Sequence, residues 1–466
     1  MTDHEIIDCD LLVLGAGMAG LSAAGYAAEH GARVIVIEKA KSSGGSALLS
    51  GGILWTATSA GRMRLYGGGN PDLGDVVLGN YGPGLAWLRR RGVAMSPALS
   101  ALHGRGYQID ILDHLRGCGH LVEQNGGHVV LDTQTRSLLT DAGGAVIGAR
   151  TVHADGVIDV RAKATLLATG GYQNSAEMRA RFIHANARDK ILLRSNPCSA
   201  GDAIQLATAI GAEARGSNPG FYGHLVSESP SWGAPHLYTL LSQYHSDHAL
   251  LLNEAGQRFC DESLGDHTNT NHVVRQPNAR AICFWDETVH RAHATTAIVK
   301  GTEAVDKMKV ALEHGGRGVV ARTLEEIGEF ATAQGFDGAQ LRRSVADYNQ
   351  HCRNGWETLQ PARAENFAAL DKPPFYAILV RPAITNTHGG LSVDPSARVL
   401  RADGSPIPGL LAAGADVGDV YGIGYGGGLA LALTYGIQAA RTAGFGGQAS
   451  ERPSTAPNRR DETEYG

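Results

Sequence analysis

Apolar runs and glycine turns alternate at the start of the chain. Leu11-Leu12-Val13-Leu14 is unbroken by polar residues, as a strand buried on both faces requires, and Gly15-Ala16-Gly17-Met18-Ala19-Gly20 follows at once. An alanine-rich stretch then predicts a helix to about His30, where Gly31 supplies a stop. Arg33-Val34-Ile35-Val36-Ile37 predicts a second buried strand, closed by Glu38. The strand-to-glycine junction recurs in Ala164-Thr165-Leu166-Leu167-Ala168-Thr169-Gly170-Gly171 and in Leu410-Leu411-Ala412-Ala413-Gly414-Ala415-Asp416. Ligand contacts in a doubly wound sheet gather at the carboxyl ends of strands, so these three junctions are expected to line one crevice. A last apolar run, 429–440, follows Gly426-Gly427-Gly428 and predicts a buried helix.

The pattern changes in the middle of the chain. After about Arg215, Ser217-Asn218-Pro219-Gly220 marks a break, and His, Tyr and Trp become frequent. Thr323-Leu324-Glu325-Glu326 is a capping box, and 337–340 offers a similar start, so two helices are expected there. Lys372-Pro373-Pro374 ends helical structure. With 466 residues, about three times the usual length per domain, the chain is expected to divide at these breaks. The parts are 1–215, 216–372, 373–447 and a polar, aperiodic tail at 448–466 expected to be disordered.

Composition narrows the function classes. A formal charge of -5 gives no field for nucleic acid, and no stretch of 18 consecutive apolar residues predicts membrane insertion. The six cysteines form no C-x-x-C pair, and the first residues lack a basic, apolar leader, so reduced thiols in a cytoplasmic protein are expected. His245 and His248 have no accompanying ligand pattern, so no metal is expected. The 62 glycines exceed ordinary usage without a collagen period, which implies many sharp turns or close approaches to a ligand.

The first glycine cluster is where chemistry begins. Gly15, Gly17, Ala19 and Gly20 stand between two strands as a dinucleotide fingerprint, with Glu38 in register to accept hydrogen bonds from a ribose diol. Glycine there brings a pyrophosphate onto free amides at a helix N-terminus. FAD is expected rather than NAD, because the small-residue loop 39–52, with Lys39, Gly44, Gly45, Ser46, Ser50, Gly51 and Gly52, can run beside an extended cofactor. Thr169, Gly170, Asp202, Gly414, Asp416, Gly427 and Leu429 complete the expected cofactor set, with the amide end of the last helix facing the flavin.

These motifs, with Asn253-Glu254-Ala255-Gly256-Gln257-Arg258-Phe259, Glu262, Thr387-His388-Gly389-Gly390-Leu391 and the stretch 414–436, resemble the flavoprotein family of succinate dehydrogenase, fumarate reductase, the 3-ketosteroid dehydrogenases and tricarballylate dehydrogenase. The resemblance implies an α/β fold, a Rossmann-like FAD-binding domain split by an inserted α+β capping domain. It also implies non-covalent FAD, since no tethering His neighbours Ser46.

Tyr425 falls where ketosteroid dehydrogenases place a Tyr on the substrate carbonyl and fumarate reductases an Arg. The family's proton-donating Arg corresponds to Asp266, and its substrate-contacting His to Asn386, both departures from a fumarate reductase. His388, Tyr222 and His224 are the favoured proton-transfer groups, with Tyr107, Tyr421 and His245 left open. Arg381 is the candidate for a substrate carboxylate or an ion pair.

The expected activity is FAD-dependent introduction of a carbon-carbon double bond next to a ketone or carboxyl group of a small molecule, with an external electron acceptor. Ene reduction is the alternative, and a flavin-binding electron-transfer subunit the alternative from another class.

Overall fold

The computed structural model describes residues 5–101, 104–215, 220–297 and 304–446. The expected tail and the turn at Ser217, Asn218 and Pro219 lie outside the described residues. Strand β1 (Glu5–Leu14) enters helix α1 (Met18–Glu29) through the glycine turn, and the chain returns in β2 (Val34–Ile37). β1 pairs in parallel with β2 on one side and with β3 (Gly156–Leu167) on the other, Leu11 opposite both Val34 and Ala164. His128–Val130 and Pro406–Ala412 extend this parallel ladder at its two sides. Leu11, Leu12, Val13 and Val34 are fully buried, which is why the run carries no polar alternation.

Close backbone approach explains part of the glycine excess. A Cβ on Gly20 would sit 1.9 Å from the Gly15 carbonyl oxygen, so α1 leaves the strand more tightly than a side chain allows.

A second core draws its buried residues from between Leu225 and Val380, with Trp285, Phe284 and Tyr348 among the largest. Its sheet includes β4 (Phe221–Ser227), Ala281–Asp286, Gly318–Ala321 and the long β5 (Phe375–Thr387). Helix α2 (Asp266–Val273) packs on β4. The helices Leu324–Ala333 and Gly338–Asn354 start on their caps, Thr323 Oγ1 accepting from the Glu326 amide at 3.3 Å and Asp337 Oδ1 from the Gln340 amide at 2.8 Å.

β5 joins the two cores. Its first half pairs with Ala281–Asp286, while its second half pairs with β4 and with Leu192–Leu193. Val380 is therefore buried in the second core and Ile384 in the first, and the chain after the proline break crosses both. Helix α3 (Gly428–Thr442) then packs on α1. Among the described residues no helix is long and apolar enough to cross a membrane.

Candidate active site

An elongated cleft of about 1180 Å³, including the space at its mouth, runs along the carboxyl ends of β1, β2, β3 and Pro406–Ala412. At one end Glu38 is fixed by the amides of Ala16 and Ala40, each at 2.8 Å, and Lys39 bridges to Asp202 at 2.7 Å. The turn before α1 adds Gly15, Gly17 and Ala19; the 39–52 loop adds Gly45, Ser46 and Ser50. Gly17, the N-cap of α1, has no side-chain cap, no acid follows in the first turn, and a Cβ there would meet nothing within 4 Å. The helix thus offers open amides and a positive dipole end to the cleft. Thr169, Gly170 and Gly414 line the middle, and Tyr425, Gly428 and Leu429 the far end.

Other positions from the glycine motifs support the cleft from behind. Gly20, Gly44, Gly52, Asp416 and Gly427 are absent from its lining, and Gly51 faces a second cavity. Asp416 is fully enclosed and accepts from the amides of Thr169 and Gly171 and from Thr169 Oγ1, tying two strand-end junctions together. Gly427 lies so close to the Trp55 carbonyl that a Cβ would approach to 2.0 Å. Thr133, Thr135, Gln173, Asn196, Ser199 and Thr385 also line the cleft, outside any motif. Gln173 Oε1 is a buried acceptor with no protein partner among the described residues. Open amide donors in the turn before α1, a carboxylate acceptor placed for a ribose and the orphaned acceptor of Gln173 form a set of donors and acceptors that fits FAD.

The second cavity meets the cleft at Ser46, Ser50, Thr385, Tyr425, Gly428 and Leu429, which line both. Tyr425 accepts a hydrogen bond from the Gly428 amide at 2.5 Å and stacks on Tyr222, ring centroids 3.7 Å apart and 10° from parallel. Burial pushes both phenols above their ordinary range, so both are neutral donors. His224, from β4, is bound through Nδ1 to Asp266 Oδ2 at the start of α2, while the Leu225 amide holds Asp266 Oδ1 at 3.0 Å. Burial pulls the Asp266 carboxyl up to about 7 and the His224 imidazole down. Both shifts oppose separated charge, so burial favours the neutral carboxyl beside the neutral imidazole.

The remaining candidates stand elsewhere. His388 is buried outside both linings; its Nδ1 donates to the Gly422 carbonyl at 2.7 Å, which leaves Nε2 as an acceptor, and burial pulls the ring down to about 4. Tyr421 donates to the Gly427 carbonyl at 3.1 Å. His245 packs against Trp285, and the Arg89 guanidinium lies 5.3 Å from the Tyr107 ring centroid. Arg381 donates to Glu228 at 2.7 Å and lines neither cavity. Arg194, Asp266 and Tyr244 do line the second cavity. The departure from the family pattern at Asp266 was the one sequence signal for that acid; nothing comparable marked Arg194 or Tyr244.

The model of the family described as FAD binding domain matches residues 10–98 and 115–431. A urocanate reductase of Eggerthella lenta is 29% identical over 89% of this chain and 71% of that protein. A fumarate reductase (cytochrome) of Shewanella frigidimarina is 27% identical over 93% of this chain and 76% of that protein. The fold is that of the 3-ketosteroid delta1-dehydrogenase from Sterolibacterium denitrificans, with a TM-score of 0.72 at 19% identity, covering 94% of this chain and 99% of that one.

Proposed function

The chain belongs to the FAD binding domain family, and from that premise we propose that it is an FAD-dependent dehydrogenase placing a carbon-carbon double bond next to the carbonyl or carboxyl group of a small molecule. FAD, held along the cleft by Gly15, Gly17, Glu38, Thr169, Gly170 and Gly428, would supply the two-electron chemistry as the hydride acceptor.

The chain's own residues do the rest. Tyr425 accepts the Gly428 amide, so its O–H remains to donate to the substrate oxygen, where negative charge grows as the α carbon loses its proton. His224, with Nδ1 held by Asp266, has Nε2 left to take that proton. Tyr222 backs the Tyr425 ring and holds its plane. The observation that carries the reading is the junction itself: Tyr425 lines both cavities, and His224 with Asp266 lines the second.

Run backwards, the same groups reduce an activated double bond, His224 then giving its proton. The names of the two relatives, both reductases, support this second reading. Mixing anaerobic holoenzyme with saturated ketones and acids distinguishes them. Bleaching of the oxidised flavin supports dehydrogenation. Silence with every saturated compound, with reoxidation of reduced enzyme by unsaturated ones, overturns it in favour of reduction. Non-covalent FAD, an external electron acceptor and a cytoplasmic setting belong to the same proposal; flavin released by denaturation checks the first.

A further inference from the structure

Arg194 and Lys307 are two buried cations, 9% and 3% exposed, and neither forms an ion pair with any described residue. Every acceptor they use is neutral. Arg194 donates from Nε to the Tyr238 carbonyl at 3.3 Å, from Nη1 to Thr385 Oγ1 at 3.0 Å and from Nη2 to the Tyr244 hydroxyl at 3.3 Å. Lys307 Nζ donates to the Thr239 carbonyl at 2.9 Å and lies 5.2 Å from the centroid of the same Tyr244 ring. Arg194, Thr239 and Tyr244 line the second cavity.

A cation out of water needs a partner, and a wall with two of them needs one more. The nearby carboxylate, Asp266, is engaged by His224 and the Leu225 amide. Asp247 and Glu365 also line the cavity, and neither pairs with Arg194 or Lys307. Arg194 uses three of the five N–H donors of a guanidinium, so its fork still has donors for a planar anion. It shares the cavity with Tyr425 and donates to Thr385, which lines the junction with the cleft.

We propose that the substrate is an oxo acid, its carboxylate docking on Arg194 with Lys307 behind Tyr244 as the supporting charge, while Tyr425 takes the separate carbonyl oxygen. This rests on the reading of the second cavity as the substrate site. It makes Arg194 the specificity-determining residue and Lys307 a positioning one. The compound is then selected by charge as well as by reactivity.

The test uses anaerobic holoenzyme and a panel of saturated oxo acids, from 4-oxopentanoate to cyclic oxo carboxylates, each paired with its methyl ester. Calorimetry reads binding and flavin bleaching reads turnover. The acids are expected to bind about 10²-fold more tightly than their esters. Arg194→Met should remove most of that preference by weakening the acids far more than the esters, and Lys307→Met should remove about a tenfold part of it. Arg194→Lys, which keeps the charge, covers a folding failure of the first variant and should lose less. Esters binding and bleaching flavin as well as acids would overturn the anion site and leave the oxidoreductase reading standing. Silence of acids and esters alike, with flavin in place, would overturn both.

Discussion

Tyr425 has two jobs that a single substitution separates. Its ring closes the junction between cavities, and its O–H is the donor proposed for the substrate oxygen. Tyr425→Phe should keep the flavin spectrum while slowing flavin reduction by substrate about 10²-fold, as expected for loss of one oxyanion donor; unchanged reduction in a stopped-flow trace removes Tyr425 from the mechanism. The proposed role of the His224–Asp266 dyad predicts a pH dependence. With the Asp266 carboxyl pulled up to about 7 by burial, dehydrogenation needs the dyad's deprotonated form. Its kcat/KM should therefore rise with pH to a plateau above about 7, whereas ene reduction would fall over the same range. Asp266→Asn should abolish that limb and cost on the order of 10²-fold in rate at neutral pH. Burial also holds the Lys307 ammonium down at about 8, so KM for an acid substrate should climb above that pH as the charge is lost. At this scale the sequence named Tyr425, His388, Tyr222 and His224 as candidates, of which all but His388 line the second cavity. It had no means of preferring Arg194 to Arg381, because both are arginines in mixed surroundings until burial and partners are known.

The glycine-bearing elements make different demands at neighbouring positions. Gly17 has open space where a Cβ would go, and Gly20 has the Gly15 carbonyl at 1.9 Å. Gly20→Ala should thus strain the strand–helix turn itself, costing about 1–3 kcal/mol of apoprotein stability. Gly17→Ala should leave apoprotein melting nearly unchanged while weakening FAD retention, since its methyl group would project from the cleft lining. Calorimetry of flavin-free protein, with flavin content after gel filtration, distinguishes the two. β1, α1, β2 and α3 were legible in the sequence because their apolar runs, glycines and stops are contiguous. β5 was not, since no sequence pattern after the proline break marks one strand of thirteen residues that pairs with strands of both cores.

On the scale of the whole molecule, FAD would touch segments from both ends of the chain, from Gly15 to Leu429, and should act as a folding ligand. Free FAD at 100 times its Kd should raise stability by about 2.7 kcal/mol, and a melting temperature indifferent to FAD would contradict the cleft assignment. In the second core Glu262 is fully buried, bound by Arg258 at 2.6 and 2.9 Å and approached by Arg363 at 3.4 Å. Glu262→Gln should cost roughly 3–5 kcal/mol, because two buried guanidinium groups lose their counter-charge.

The sequence by itself determined the flavin-binding elements, for a reason of range: apolar periodicity, glycine turns and caps act over a few neighbouring residues and can be read where they stand. Only the tertiary structure brought the candidate site together. His224, Asp266, Arg194, Lys307 and Tyr425 come from separate elements, and their proton affinities and free donors are set by burial and by partners that folding brings together.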